Sequence, residues 1–178
     1  MGALTLWQYL RDFGSRRLSR VVVIDQSPKL LTDEDWKSGI YGDFDHRRNA
    51  RFMHELEGDF AEAVLRLAAF GHNERSRAKY LENGSGIETA RQRLRALDPR
   101  PLIDCWASLS AADYRDVLQT ISIPALLVYG GASNFYSTGT AEYVRDSIPN
   151  ALLHIYDGVD HAPHLWERGR FIRDVLDF

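Results

Sequence analysis

Three short runs rich in β-branched and aliphatic residues constrain this chain more than anything else in it. "VVVID" covers Val21 to Asp25, "PALLVYGG" carries Leu126 to Tyr129 and stops at Gly130 and Gly131, and "ALLHIYDG" runs from Ala151 to Tyr156. Continuous apolar runs of this length belong to strands buried on both faces of a parallel sheet. Between the second and third lies a helical pattern, Ala141, Val144, Arg145 and Ile148, ended by Pro149, and a further helix is expected from Leu165 to Phe178. Strand, helix, strand, helix reads as right-handed βαβ units, so the fold class is α/β. Upstream, Ala3, Leu6, Trp7, Leu10 and Phe13 are spaced as the buried face of a helix that starts almost at Met1.

The stretch from Leu30 to Ile121 has a different character. "DFAEAVLRLAAF" (Asp59 to Phe70) and "GIETARQRLRAL" (Gly86 to Leu97) are its clearest helices, followed by "PLIDCWASLS" and "AADYRDVL", with no convincing strand. A helical insertion after the C-terminal end of a sheet strand lies where open α/β sheets bind ligands. The expected organisation is a core of residues 1–29 and 122–178 with a helical lid of residues 30–121. The alternative is a separate helical domain with its own core. Neither flank carries a Gly/Ser or Pro-rich linker, which favours the lid.

The 178 residues carry 22 basic and 25 acidic side chains, mixed along the chain, for a net charge of −3. Such a balance offers no field for nucleic acid or an anionic membrane. A small neutral or weakly polar ligand is the more natural partner. No run of about 18 apolar residues could span a bilayer, and no basic-then-apolar leader is present. The start only grazes the myristoylation pattern, because Leu6 stands where a hydroxyl is needed. A single cysteine, Cys105, cannot form an internal disulfide and reads as a small buried helix residue in a cytoplasmic protein.

Of six histidines, His161 in "YDGVDHAPHLWE" stands out. It follows a parallel strand in a Gly-containing loop, where its imidazole is presented at the sheet's C-terminal edge as a general base. His164 packs or caps the next helix, His154 sits within a strand, and His46, His54 and His72 lie in the lid without metal-ligand partners at useful spacing. A catalytic histidine needs an acid to fix its tautomer. Asp157 and Asp160 are local to His161 and are expected to shape its loop, whereas Asp25 ends a different strand on the same sheet edge. An Asx turn with Ser27 ahead of Pro28 is the competing reading of Asp25.

"VVVIDQSP" with the following "DEDW", then "IPALLVYGG", and above all "GVDHAPHLWE" resemble the C-terminal part of an α/β-hydrolase of the lidded esterase, haloperoxidase-like and dehalogenase-like kind. In that superfamily the nucleophile stands in Gly-x-Ser-x-Gly between a strand and a helix. "MGALTLWQYL" is similar to the second half of such an elbow, with Met1 directly after the nucleophile and Gly2 as the last glycine. The resemblance therefore implies an N-terminally truncated hydrolase. None of Ser15, Ser19 or Ser27 sits on an elbow.

The resemblance also exposes a departure. The superfamily's usual acid follows the strand ending in Tyr129, about where Ser133 stands, and neither Ser133 nor Asn134 can supply a charge. A minority of these enzymes place the acid one strand earlier, at the position of Asp25. A dehalogenase would carry a Trp after its nucleophile where this chain has Met1, so ester chemistry is implied, with a small apolar or ester-type substrate as the expected partner. The expected roles are His161 as base, Asp25 as its orienting acid and the backbone N–H of Met1 in the oxyanion hole. No metal or organic cofactor is called for. The runner-up is an inactive ligand-binding or regulatory homologue, or a non-functional fragment. The Val21 to Asp25 edge, lacking the neighbour the superfamily gives it, is expected to promote self-association.

Overall fold

In a computed structural model describing residues 1–178, β1 (Val21–Ile24), β2 (Ala125–Gly130) and β3 (Ala151–Tyr156) form one parallel sheet in the order β1-β2-β3. The register pairs Val21 with Ala125 and Ala125 with Ala151, so all three strands end on one edge. All six residues of β2 are buried. Side chains alternate between two faces. Val21, Val23, Ala125, Leu127 and Tyr129 join the main core on one face, while Leu126, Val128, Tyr156 and Val159 form a smaller cluster on the other.

Helix α1 (Gly2–Phe13) buries Leu4, Trp7 and Leu10. The expected stripe is thus shifted by one residue at its start, and it ends early, because Phe13 is 71% exposed. Between β1 and β2 run α2 (His46–Gly58), α3 (Phe60–Ala69), α4 (Glu74–Glu82), α5 (Ser85–Arg95), α6 (Pro99–Ala111) and the single turn α7 (Arg115–Leu118). Side-chain caps start four of them: Asp45, Asp59, Asn73 and Asp98 each accept a backbone N–H of the first turn. The helical reading of "AADYRDVL" holds only for its second half. Asp113 instead forms an antiparallel bridge with Lys29, and Tyr114 N–H donates to Pro28 O at 3.0 Å, drawing this stretch into extended form.

That bridge clamps the two ends of the 30–121 segment side by side. Its apolar side chains do not form a core apart: one cluster of 24 buried residues includes Leu30, Phe44, Phe52, Leu56 and Ala63 together with Trp7, Val23 and Leu127. After β2, α8 (Thr138–Ser147) buries Thr140, Ala141 and Val144 and returns the chain to β3.

The expected continuous helix from Leu165 is two pieces, α9 (Pro163–Trp166) and α10 (Arg168–Asp177), broken at Glu167 with φ −114° and ψ 49°. The break decides which apolar residues are used. Phe171, Val175 and Phe178 pack on the second face of the sheet, while Leu165, Trp166, Ile172 and Leu176 remain exposed.

No residue of α10 is fully buried, and polar contacts supplement its docking. Tyr156 OH donates to Asp174 Oδ2 at 2.6 Å, His154 Nδ1 lies 2.9 Å from the same oxygen, and the Arg170 guanidinium stacks 3.9 Å from the Tyr156 ring. Burial opposes the Asp174 charge, but the bonds from Tyr156 and His154, with Arg170 beside them, hold its carboxyl below the ordinary value. A lowered native value means that Asp174 stabilises the fold above the unfolded aspartate pKa of about 3.9 and loses that contribution as pH falls through the native value. Urea unfolding of Asp174→Asn should therefore show a lower midpoint than the parent at pH 7, with the gap closing toward pH 3. A gap that widens on acidification would contradict this arrangement.

Candidate active site

Asp25 follows directly on β1 and keeps the ladder for one more residue, its N–H donating to Val128 O at 2.9 Å. Its backbone then turns into the left-handed region, φ 41°, which aspartate tolerates better than the valines before it. The side chain is fully buried. A buried carboxylate needs donors for its oxygens, and the end of β2 supplies them: Gly130 N–H donates to Oδ2 at 2.8 Å and Ser133 Oγ to Oδ1 at 3.0 Å. The Asx turn with Ser27 is not formed. Ser27 Oγ donates instead to Lys29 O at 2.7 Å.

The loop after β3 brings His161 to the same place. Its Nδ1 lies 3.3 Å from Asp25 Oδ1, within ion-pair reach but longer and less aligned than a closed charge-assisted hydrogen bond. Such contacts commonly tighten only when substrate is bound. The side chain is 42% exposed although Nδ1 is buried, so the exposure falls on the rest of the ring. Phe135 and Tyr136 wall the imidazole, with ring centroids at 4.6 and 6.1 Å.

Asp160 shapes this loop. Its Oδ1 accepts both His161 N–H and Asn134 N–H at 2.7 Å, and Oδ2 accepts from Ser76 Oγ at 2.5 Å. Asp157 is exposed. Gly130 is required for a steric reason, since a Cβ there would lie 2.4 Å from Asp160 O and 2.5 Å from Val159 O. The other histidines lie elsewhere: His154 on β3 against Asp174, His164 in α9 packed on Phe171, and His46, His54 and His72 in the 30–121 segment. No cluster of three or more His, Cys, Asp or Glu side chains is arranged to hold a metal ion.

Met1 N donates to Gln26 Oε1 at 3.1 Å, and Gln26 Nε2 donates to Tyr136 OH at 2.7 Å. Burial depresses the Met1 ammonium below its ordinary value, with the Cys105 thiol acting in the opposite direction. Burial, with the Asp25 charge adding to it, pushes the Tyr129 and Tyr136 phenols up, so both stay protonated. Tyr129 uses its proton on Gln26 O at 2.6 Å. Gln26 and Tyr136 were invisible as site residues in the sequence; the only hint was the position of Gln26 next to Asp25.

Met1 is also one of the ten residues lining an apolar cavity of about 250 Å³. Phe52 and Leu56 of α2, Phe60, Val64 and Leu67 of α3, and Cys105, Trp106 and Leu109 of α6 are among its ten lining residues, every one apolar. Asn134, fully buried, ties the end of α3 and the start of α4 to the sheet edge. Its side chain accepts from Gly71 and Asn73 N–H at 3.1 and 3.2 Å and donates to Ala68 O at 2.8 Å, while Asn73 Nδ2 returns a bond to Ala132 O at 2.6 Å.

No family model matches the chain. Among curated proteins it is similar to the pimeloyl-[acyl-carrier protein] methyl ester esterase of Vibrio cholerae, with 25% identity over 171 residues covering 90% of this chain and 60% of that protein. The enzyme of the same name from Pectobacterium atrosepticum is 26% identical over 172 residues, covering 91% and 61%. Among solved structures, a bromoperoxidase from Bacillus anthracis superposes with a TM-score of 0.80 at 20% identity, covering 99% of this chain and 63% of that one. An esterase from Exiguobacterium antarcticum gives 0.76 at 16% identity, covering 97% and 61%. The fold is the C-terminal part of an α/β-hydrolase fold. The chain spans about 60% of the length of the curated relatives it matches.

Truncating Asn134 to alanine would leave two backbone N–H groups and a carbonyl without their partner, that of Asn73 buried and the others partly buried; a buried group left unpaired costs about 1–3 kcal/mol. Asn134→Ala should therefore lower the unfolding free energy by at least about 2 kcal/mol and speed amide exchange most strongly over residues 67–76. Uniform exchange across the chain would show that Asn134 is not the tie.

Proposed function

We propose that this chain supplies the histidine, the acid and the lid of a serine-hydrolase-type esterase. The observation that carries the reading is the approach of His161 Nδ1 to the buried Asp25 Oδ1 at 3.3 Å, from the ends of two parallel strands. In this reading a serine in a segment joined to Met1 attacks an ester carbonyl, and His161 takes its proton through Nε2. Asp25 holds the Nδ1–H tautomer and stabilises the imidazolium that forms. His161 then returns the proton to the leaving alcohol. The backbone N–H of Met1, as a peptide amide, is the oxyanion donor contributed from this side.

The substrate class is an ester whose apolar part lies in the cavity between α2, α3 and α6, with residues 30–121 as the lid. The all-apolar lining favours a hydrocarbon group over a charged one, because a charge buried there has no partner. No helix is long and apolar enough to cross a membrane, and the single cysteine suits the cytoplasm. The outer edge of β1, which pairs only with β2, is the surface proposed for self-association.

A second reading, binding without turnover, draws on the same cavity, whose lining lies wholly within the chain. A polypeptide in which a Gly-x-Ser segment leads into Met1 separates the two. It should hydrolyse a simple aryl ester, His161→Ala should abolish turnover, and Asp25→Asn should lower kcat about 10³–10⁴-fold. Unimpaired activity of Asp25→Asn would move the acid role to Asp160 or Asp157. Ligand binding with no turnover in the parent would favour the binding module.

A further inference from the structure

The position from which a charge is missing is not idle. Ser133 is 4% exposed and its hydroxyl sits at the junction of the acid, the histidine and the wall around it. Ser133 Oγ donates at 3.0 Å to Asp25 Oδ1, the same oxygen that faces His161 Nδ1. It also accepts from the backbone N–H groups of Phe135 and Tyr136, at 3.3 and 3.4 Å. Those two residues supply the rings that bound the imidazole. A single hydroxyl thus contacts the carboxylate on one side and the loop that confines the histidine on the other.

The two oxygens of Asp25 are held differently. Oδ2 is fixed by a main-chain donor, Gly130 N–H at 2.8 Å, which no side-chain substitution at another position removes. Oδ1 has only Ser133 and the loosely placed His161. Without the hydroxyl, the plane of the carboxylate is free to rotate about its one remaining bond, and Oδ1 leaves the line to Nδ1. We propose that Ser133 is a positioning residue for the Asp25–His161 pair: its hydroxyl sets the carboxylate plane and thereby the tautomer of His161. It acts through Asp25, which its hydroxyl contacts directly. This inference rests on the esterase reading only for its purpose; the geometry it concerns lies within the chain.

The tautomer can be read without any catalysis. In the neutral imidazole, ring ¹⁵N shifts and couplings to the carbon-bound ring protons distinguish Nδ1–H from Nε2–H, so the test uses the 178-residue protein labelled at histidine. At a pH where His161 is neutral, the parent should show chiefly Nδ1–H. Ser133→Ala should move His161 toward a tautomer mixture in which Nδ1–H is no longer the majority form. Ser133→Thr, which keeps the hydroxyl, should restore the parent pattern. Unchanged signals from His154, which lies against Asp174 away from this site, would show that each variant is folded. A Ser133→Ala protein that keeps chiefly Nδ1–H would overturn the proposal, as would a mixture in Ser133→Thr equal to that in Ser133→Ala. If the parent itself lacked a Nδ1–H preference, both this proposal and the Asp25–His161 reading would fall. A preference lost in Asp25→Asn but kept in Ser133→Ala would remove Ser133 alone.

Discussion

Everything that matters at this site depends on β2 being hydrogen-bonded on both sides. Its pairing with β1 and β3 in register brings the ends of three parallel strands to one edge, and its six buried residues give that edge a rigid base. At its last residue the role changes from ladder to ligand. Gly130 turns its N–H to the Asp25 carboxylate, and its missing side chain leaves room for the carbonyls of Val159 and Asp160. One residue without a Cβ therefore holds the acid and admits the loop that carries the histidine.

Charge is managed at this edge by layers of donors. Asp25 is buried with two donors from the β2 end and with His161 opposite, so each of its oxygens has a polar partner without water. Asp160, directly before His161 in the loop, is spent on backbone N–H groups and on Ser76. Two carboxylates close to one histidine, Asp160 through the chain and Asp25 through the fold, thus have separate duties. Asp25 faces the ring, and Asp160 fixes the main chain that carries it.

The helical segment is joined to the sheet by polar pins as much as by apolar burial. The Lys29–Asp113 bridge closes its base, while at its far side Asn73 donates its N–H to Asn134 Oδ1 and its Nδ2 to Ala132 O. Between those pins the helices leave an apolar cavity with Met1 in its lining.

The sequence by itself determined the three strands, the parallel α/β class, most helices and the choice of His161 and Asp25 as the residues to watch. Those features are local: runs of β-branched residues, helical spacing, Gly and Pro stops, and loops following strands can be read from neighbours a few positions apart. The resemblance to α/β-hydrolases, and not local patterning, marked Ser133 and Asn134 as the place where a charge is missing. Only the tertiary structure decided what fills that place, since a hydroxyl 108 residues away from Asp25 meets it through sheet register and not through chain proximity. The same holds for the break at Glu167, where Leu165, Ile172 and Leu176 offer an apolar periodicity but the sheet takes Phe171 and Val175. Gln26 and Tyr136, a hydrogen-bonded polar pair whose Tyr136 ring borders the histidine, carry no pattern in the sequence beyond the place of Gln26 next to Asp25. Their significance comes from which groups the fold leaves without water, and burial is a property of the assembled chain.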